Sequence, residues 1–187
     1  TINDIICPHP NWENDYYVKI AHQYNRELWL YNGPGLGRTG DPQLGYRQMA
    51  WRVFAVGGRG MGFWSFWDLS GAATSWNEYS AVRPTYAPAF LDKDTVYNSV
   101  HWDAVRDGIE DFEELSMLKD AIAKSKNIPL KTKAQKILDD AVAAANALTS
   151  QGSVDDDNGI YNWNRNSDPA IVDTQLSKGR AMLMELG

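Results

Sequence analysis

Met61-Gly62-Phe63-Trp64-Ser65-Phe66-Trp67-Asp68-Leu69 is a nearly continuous apolar run that begins just after Gly57, Gly58 and Gly60. A run this short and this apolar, bounded by glycine, reads as a strand buried on both faces. The preceding residues 43–56 carry Leu44, Trp51, Phe54 and Ala55 at helical spacing, and the glycines stop that helix. Before it comes a second short apolar strand, Leu28-Trp29-Leu30-Tyr31, and a helical stretch at 14–24 with Tyr17, Ile20, Ala21 and Tyr24 on one face. Residues 2–7 form a first apolar strand, ended by Pro8 and Pro10. Residues 2–69 thus read strand, helix, strand, helix, strand. That alternation specifies a parallel sheet, expected to be covered on both faces.

Three parallel strands leave a sheet with open edges, and an aromatic strand on an edge invites aggregation. The reading that removes this hazard is α/β, the C-terminal part of a (β/α)8 barrel followed by a helical extension, with the missing strands upstream of Thr1. The alternative is a small sheet covered by the later helices. On the barrel reading, residues 1–102 hold the last β/α units and a long aromatic loop, and residues 103–187 are C-terminal helices packing on the barrel. The chain opens at Thr1 without an initiator methionine, as expected if a leader was removed or a larger chain was cut.

Residues 70–97 are irregular and aromatic and contain Pro84 and Pro88. Helical periodicity then returns. Residues 103–123 place Val105, Ile109, Phe112, Leu115, Leu118 and Ile122 on one face. Residues 132–148 do the same with Ala134, Ile137, Leu138, Ala141, Val142, Ala145 and Leu148, and Thr132 and Gln135 have capping-box spacing. After a polar connection at 152–165, Asp168-Pro169 reads as a cap with proline at the first helical position. The helix beyond it buries Val172, Leu176, Met182, Leu183 and Leu186.

With 24 acidic against 18 basic side chains and a net charge of -6, the chain lacks the basic footprint of a nucleic-acid binder. No stretch reaches the ~20 apolar residues of a membrane helix, so no membrane partner is expected. Cys7 is the single cysteine, which excludes an internal disulfide and a cysteine-cluster metal site.

Gly35-Leu36-Gly37-Arg38-Thr39-Gly40 fits the dinucleotide-binding glycine pattern after a strand. Asp41 and Pro42, however, stand where a helix should open toward a pyrophosphate, and no acid lies ~20 residues on for the ribose. His9, His22 and His101 have no metal-ligand spacing, and Val154 occupies the first ligand position of the calcium-loop-like Asp155-Asp156-Asp157-Asn158-Gly159. No cofactor or metal is expected. A serine-hydrolase elbow is absent as well.

Barrels place ligands at the C-terminal ends of their strands. Tyr31 and Asn32 hold that position on the second strand, and Trp67 and Asp68 on the third; Trp76, in the long loop, suits a ligand wall. Aromatic faces beside an amide and a carboxylate fit a sugar ring, with its apolar C–H faces and its rim of hydroxyls. For Tyr31 and Trp67 a core-filling role competes on equal terms, whereas Trp29, Trp64 and Phe66 are assigned to the core. Arg106 and Glu110, four apart, pair on one helix turn, and Asp103 and Asp107 suit a helix N-terminus.

Four of these stretches resemble a known family. The Trp–Tyr spacing of Leu28-Trp29-Leu30-Tyr31 resembles its strand signature, and Arg47-Gln48-Met49-Ala50-Trp51 its Arg/Trp helix. Gly62-Phe63-Trp64-Ser65-Phe66-Trp67 resembles its tryptophan-rich last strand. Val105-Arg106-Asp107-Gly108-Ile109-Glu110-Asp111-Phe112-Glu113 is similar to its most distinctive motif, Leu-Arg-Asp-Gly-Ile-Glu-Asp-Tyr-Glu. The family is the C-terminal domain of unknown function found in proteins similar to glycoside hydrolase family 123, and the likeness covers roughly residues 2–120. It implies a bacterial, secreted or periplasmic (β/α)8 enzyme. Characterised members are β-N-acetylgalactosaminidases that use the substrate's own N-acetyl group as nucleophile, outside the two-carboxylate scheme. Their Asp-Glu pair lies on an earlier strand, so the resemblance places no catalytic acid here and gives Tyr31 and Trp67 substrate-pocket roles. The chain is then expected to be inactive alone, with a carbohydrate substrate and the upstream part of its own barrel as partners. Two other classes stay open: a non-catalytic carbohydrate-binding or structural module, and a small α/β domain for another ligand.

Overall fold

A computed structural model of the chain describes residues 4–8, 15–32, 41–63, 66, 88–149, 153–155, 160–162 and 170–187. Strand β1 (Ile5–Ile6) leads to helix α1 (Asp15–Gln23) and strand β2 (Glu27–Asn32). A π-helical turn, Gln43–Arg47, runs directly into α2 (Gln48–Ala55), and β3 (Gly60–Phe63) comes next. The three strands pair in the order β1-β2-β3, parallel throughout, as the alternating pattern predicts. The described part of β3 ends at Phe63, short of the expected 61–69.

Both helices stop by the same device, and each stop launches a strand. At the end of α1, Asn25 takes a left-handed φ of 50°, which asparagine tolerates better than most residues, and the Arg26 N–H donates back to Ala21. At the end of α2, Gly57 takes φ 71° and the Gly58 N–H donates to Val53 at 2.8 Å. A Cβ at Gly58 would lie 3.0 Å from the Leu28 carbonyl oxygen, so this turn also sits tightly against β2.

Alternate side chains of β2 separate the two faces of the sheet. Leu28 and Leu30 are buried with Ala21 of α1 and Val53 of α2, and Val18, Val56 and Met61 pack around them. Both connecting helices therefore lie on one face of the sheet. The opposite face carries Trp29 and Tyr31, in register with Gly60 and Gly62 of β3. A Cβ at Gly60 would fall 2.5 Å from the Trp29 ring, so the indole lies directly over the glycine. The sequence pattern predicts coverage of both faces; among the described residues the helices cover one.

The later chain is helical. A short antiparallel hairpin, β4 (Phe90–Leu91) and β5 (Val96–Tyr97), precedes α3 (Val100–Lys124). Ser99 caps α3, its hydroxyl accepting from the His101 and Trp102 N–H groups. Helix α4 spans Ile128–Thr149 and α5 Ala170–Leu186, with a second antiparallel hairpin between them, β6 (Ser153–Asp155) and β7 (Ile160–Asn162). The expected cap at Thr132 is corrected: Asn127 caps α4 through Leu130 N–H, and Thr132 lies one turn inside, its hydroxyl donating to the Ile128 carbonyl. Asp168 and Pro169 lie outside the described residues.

Trp51 of α2, Leu115, Leu118 and Ile122 of α3, Ala134, Leu138, Ala141 and Ala145 of α4, and Val172, Leu176 and Met182 of α5 form one buried cluster. The fold is thus mixed α/β and mostly helical, with α2 facing both the sheet and the helical core. The apolar stripe expected on α3 fails at one position. Ile109 is 46% exposed, and Asp111 turns inward at 3%. Among the described residues no helix is long and apolar enough to cross a membrane.

Candidate functional site

Of the five residues singled out for a sugar pocket, Tyr31 and Asn32 fall at the C-terminal end of β2, beside Gly62 and Phe63 of β3. Tyr31 is half-buried, and its ring leans over Gly62, where a Cβ would sit 3.3 Å from its Cδ2 atom. Only the backbone of Asn32 is described. Trp67, Asp68 and Trp76 lie outside the described residues.

Two aromatics assigned to the core are not buried. Trp29 is 37% exposed, with its indole N–H donating to the Glu27 carboxylate at 2.7 Å. Phe66, three residues beyond β3, is 42% exposed and stacks edge-to-face on Trp102 of α3, ring centroids 5.0 Å apart. Trp64 lies outside the described residues.

Phe66 and Trp102 share a cleft of about 630 Å³ with the β4–β5 hairpin and the first turns of α3. Val96 and Tyr97 form the hairpin side; Asp103, Arg106 and Glu110 form the polar edge. Arg106 reaches Asp107 at 3.2 Å, Asp103 at 3.4 Å and Glu110 at 3.6 Å, as the helix spacing predicts for Glu110. The Asp107 hydrogen bond and the Asp103 charge push its guanidinium above its ordinary pKa, so it stays charged under all ordinary conditions. Asn98 donates its amide N–H to Asp103 at 2.7 Å. Tyr97 and Trp102 are not singled out by the sequence. Trp102, Arg106 and Ile109 do recur at helical spacing, a legible outer stripe on α3, but the other wall comes from a hairpin inside a stretch whose sequence reads as irregular.

The most distinctive motif has a different job. Asp111 is gripped by the Arg47 guanidinium in two contacts, Nε to Oδ2 at 2.6 Å and a second terminal nitrogen to Oδ1 at 3.2 Å. The Trp51 indole N–H donates to the same Oδ2 at 2.8 Å. Arg47 also meets Gln43 at 3.1 Å and Asp173 of α5 at 3.0 Å. The π-helical turn ends on Arg47, and such bulges re-aim side chains. Burial alone would lower the Arg47 pKa; the hydrogen bond and charge of Asp111, helped by Asp173, outweigh it and hold the group above its ordinary value. Gly108 makes the approach possible, since a Cβ there would lie 2.8 Å from the Arg47 carbonyl oxygen. Arg47, Trp51, Gly108 and Asp111 therefore form a clamp between the β/α units and the helical extension, with its polar groups directed at one another rather than at a ligand.

Helix α5 is also tied to α3 at the surface by Arg180 and Glu114, bidentate at 2.7 and 2.8 Å. Both side chains are partly exposed, so Arg180→Ala should cost less than ~1 kcal/mol in urea denaturation. A larger loss would mean that this pair, rather than the buried clamp, anchors α5.

Among the described residues no three His, Cys, Asp or Glu side chains come together to hold a metal ion. No protein-family model matches the chain, and no curated protein matches it in sequence. The likeness to the family 123-related domain rests on the four motifs alone.

Proposed function

We propose that this chain is the C-terminal portion of a (β/α)8 glycoside hydrolase acting on N-acetylhexosamine-containing glycans. It would supply walls of the substrate pocket, with the acid pair on strands upstream. One observation carries this reading: the strands are parallel in strict sequence order, and both connecting helices lie on the same face. A doubly wound sheet shares this arrangement within one half and departs from it where its strand order reverses and its helices pass to the other face. A barrel keeps strand order and puts every helix outside. The face bearing Trp29 and Tyr31 would then look into the barrel, where Gly60 and Gly62 leave room for their rings.

In such an enzyme the substrate's acetamido group attacks the anomeric carbon, and this chain's residues bind and orient the sugar. Tyr31, at the mouth of the barrel, would stack on the ring and hydrogen-bond its hydroxyls; Trp67 and Asp68 are assigned to the same pocket from the sequence alone. General-acid chemistry needs a carboxyl group whose environment raises its pKa, and no acid here is assigned that task.

Hydrolysis of an aryl N-acetylgalactosaminide tests the reading. The 187-residue chain alone should show none, and a form carrying the upstream strands should be active. Turnover by the chain alone would contradict the assignment of the acid pair; an inactive longer form that still binds glycans would favour a second reading. That second reading is a non-catalytic carbohydrate-binding module, and it is supported by the cleft lined by Phe66, Tyr97 and Trp102.

A further inference from the structure

The cleft between Phe66, the β4–β5 hairpin and α3 has a chemistry of its own, which bears on function if the carbohydrate reading holds. We propose, resting on that reading, that this cleft is a subsite for a hexosamine with a free, protonated amino group, which it prefers to an N-acetylated or anionic sugar. The natural ligand would be a partly deacetylated glycan, with an N-acetylated unit at the reacting position and a free amine in the cleft.

Among the charged and amide groups on the described lining of the cleft, Asp103 and Glu110 accept, and the donors Arg106 and Asn98 are already engaged with them. Arg106 is the cation on its described lining, and it is already shared by the carboxylates of Asp103, Asp107 and Glu110. Three carboxylates against one guanidinium leave these two turns of helix with a local charge of -2. Each carboxylate has about four lone-pair positions, so Asp103 and Glu110 keep acceptor capacity after binding Arg106. Asn98 spends an amide N–H on Asp103, and its carbonyl oxygen is a further acceptor. An ammonium group matches this edge, being three donors and no acceptor. A uronate or a sulfate would meet net negative charge, and an acetamido carbonyl would have to compete with three carboxylates for Arg106.

The aromatic lining adds a second attraction. Trp102, on the same helix as these carboxylates, and the 44%-exposed Tyr97 of the hairpin both line the cleft. Aromatic faces attract cations and also cover the apolar face of a pyranose. A cation carried on an apolar ring uses both attractions at once, and an amino sugar has that form.

The test is calorimetric titration of the intact protein with glucosamine tetramer and N-acetylglucosamine tetramer, at low and high salt. Exposed charge pairs and cation–π contacts are individually weak, so the free-amine tetramer should bind about tenfold tighter at low salt. That margin should narrow as salt rises. Asp103→Asn combined with Glu110→Gln should remove the preference while leaving the N-acetylated tetramer bound, and Trp102→Ala should weaken both tetramers about tenfold. Equal binding of the two tetramers, or a preference indifferent to salt, would overturn the proposal and leave the carbohydrate reading standing. Binding of neither tetramer would overturn both. If the double variant melts early, the salt series on the unaltered protein decides alone.

Discussion

Asp111→Ala should lower the stability of the chain by about 3–5 kcal/mol, the range for removing one partner of a buried ion pair. The carboxylate is almost fully enclosed, and both of its oxygens are used: one by Arg47 Nε and the Trp51 indole, the other by the far side of the same guanidinium. Alanine leaves a largely buried guanidinium with Asp173 as its nearest remaining carboxylate and leaves the indole N–H of a tryptophan that is only 1% exposed without its acceptor. Unmade hydrogen bonds of buried groups cost the full desolvation of the group. Asp111→Asn should fall between, because an amide oxygen can still accept from Trp51 but no longer offsets the charge of Arg47. Replacing both charged partners, Asp111→Leu with Arg47→Met, should cost much less than the sum of the single changes, since no orphaned charge remains. Urea denaturation of the unaltered protein, Asp111→Ala, Asp111→Asn, the double variant and its two single components gives the answer. A loss under ~1 kcal/mol for Asp111→Ala would show that water, not this clamp, satisfies Arg47.

Asp111 also marks where sequence reasoning gives out. Helical spacing on α3 favours Ile109 as the inward residue, because a periodicity argument counts apolar side chains. The partners that make an inward aspartate tolerable lie 60 and 64 residues away and are invisible to a local pattern. The strands are legible because each is short, apolar and punctuated: Gly57, with its positive φ, ends α2 where the glycine cluster predicts a stop. The side of the sheet on which each helix lies is not legible, since spacing within α1 and α2 says which face is apolar and nothing about the direction of the crossover.

At α4 two cap signals compete. Thr132 and Gln135 have the capping-box spacing, yet Asn127 starts the helix one turn earlier and keeps Ile128 and Leu130 within it. For the site, Tyr31 is found because strand order puts it at a C-terminal strand end. Trp102 and Tyr97 are missed because their cleft exists only once the hairpin folds back against α3. Trp29 and Phe66 are misassigned for a related reason: an aromatic side chain counts as core by hydrophobicity, whereas one lies over a glycine on the face away from the helices and the other packs edge-to-face with a partly exposed Trp102.

Gly108→Ala tests the same clamp through the backbone, and the sign of its effect is the informative part. Inside an ordinary helix, alanine in place of glycine gains up to ~1 kcal/mol from propensity and from the lower entropy of the unfolded chain. Position 108 lies well inside α3, so that gain would be expected on local grounds. The new Cβ, however, would sit 2.8 Å from the carbonyl oxygen of Arg47 and 3.0 Å from its Cα. Both are backbone atoms, and no side-chain rotation relieves the clash. Helix α3 would have to move off the turn that carries Arg47, and Asp111, one turn further along α3, would lose its two-point grip. Overpacking of this kind costs about 1–3 kcal/mol, so the net effect should be destabilising. Gly179→Ala supplies the control. It lies inside α5, where a Cβ would meet only the Leu118 Cδ2 atom at an ordinary 3.7 Å, and there the gain should be realised. If both alanines stabilise the protein in urea denaturation, the close approach of α3 to Arg47 is wrong. If only Gly108→Ala destabilises, it should also weaken ligand binding in the cleft, because the same helix that docks at Gly108 carries Trp102, Asp103 and Arg106 within the two turns before it.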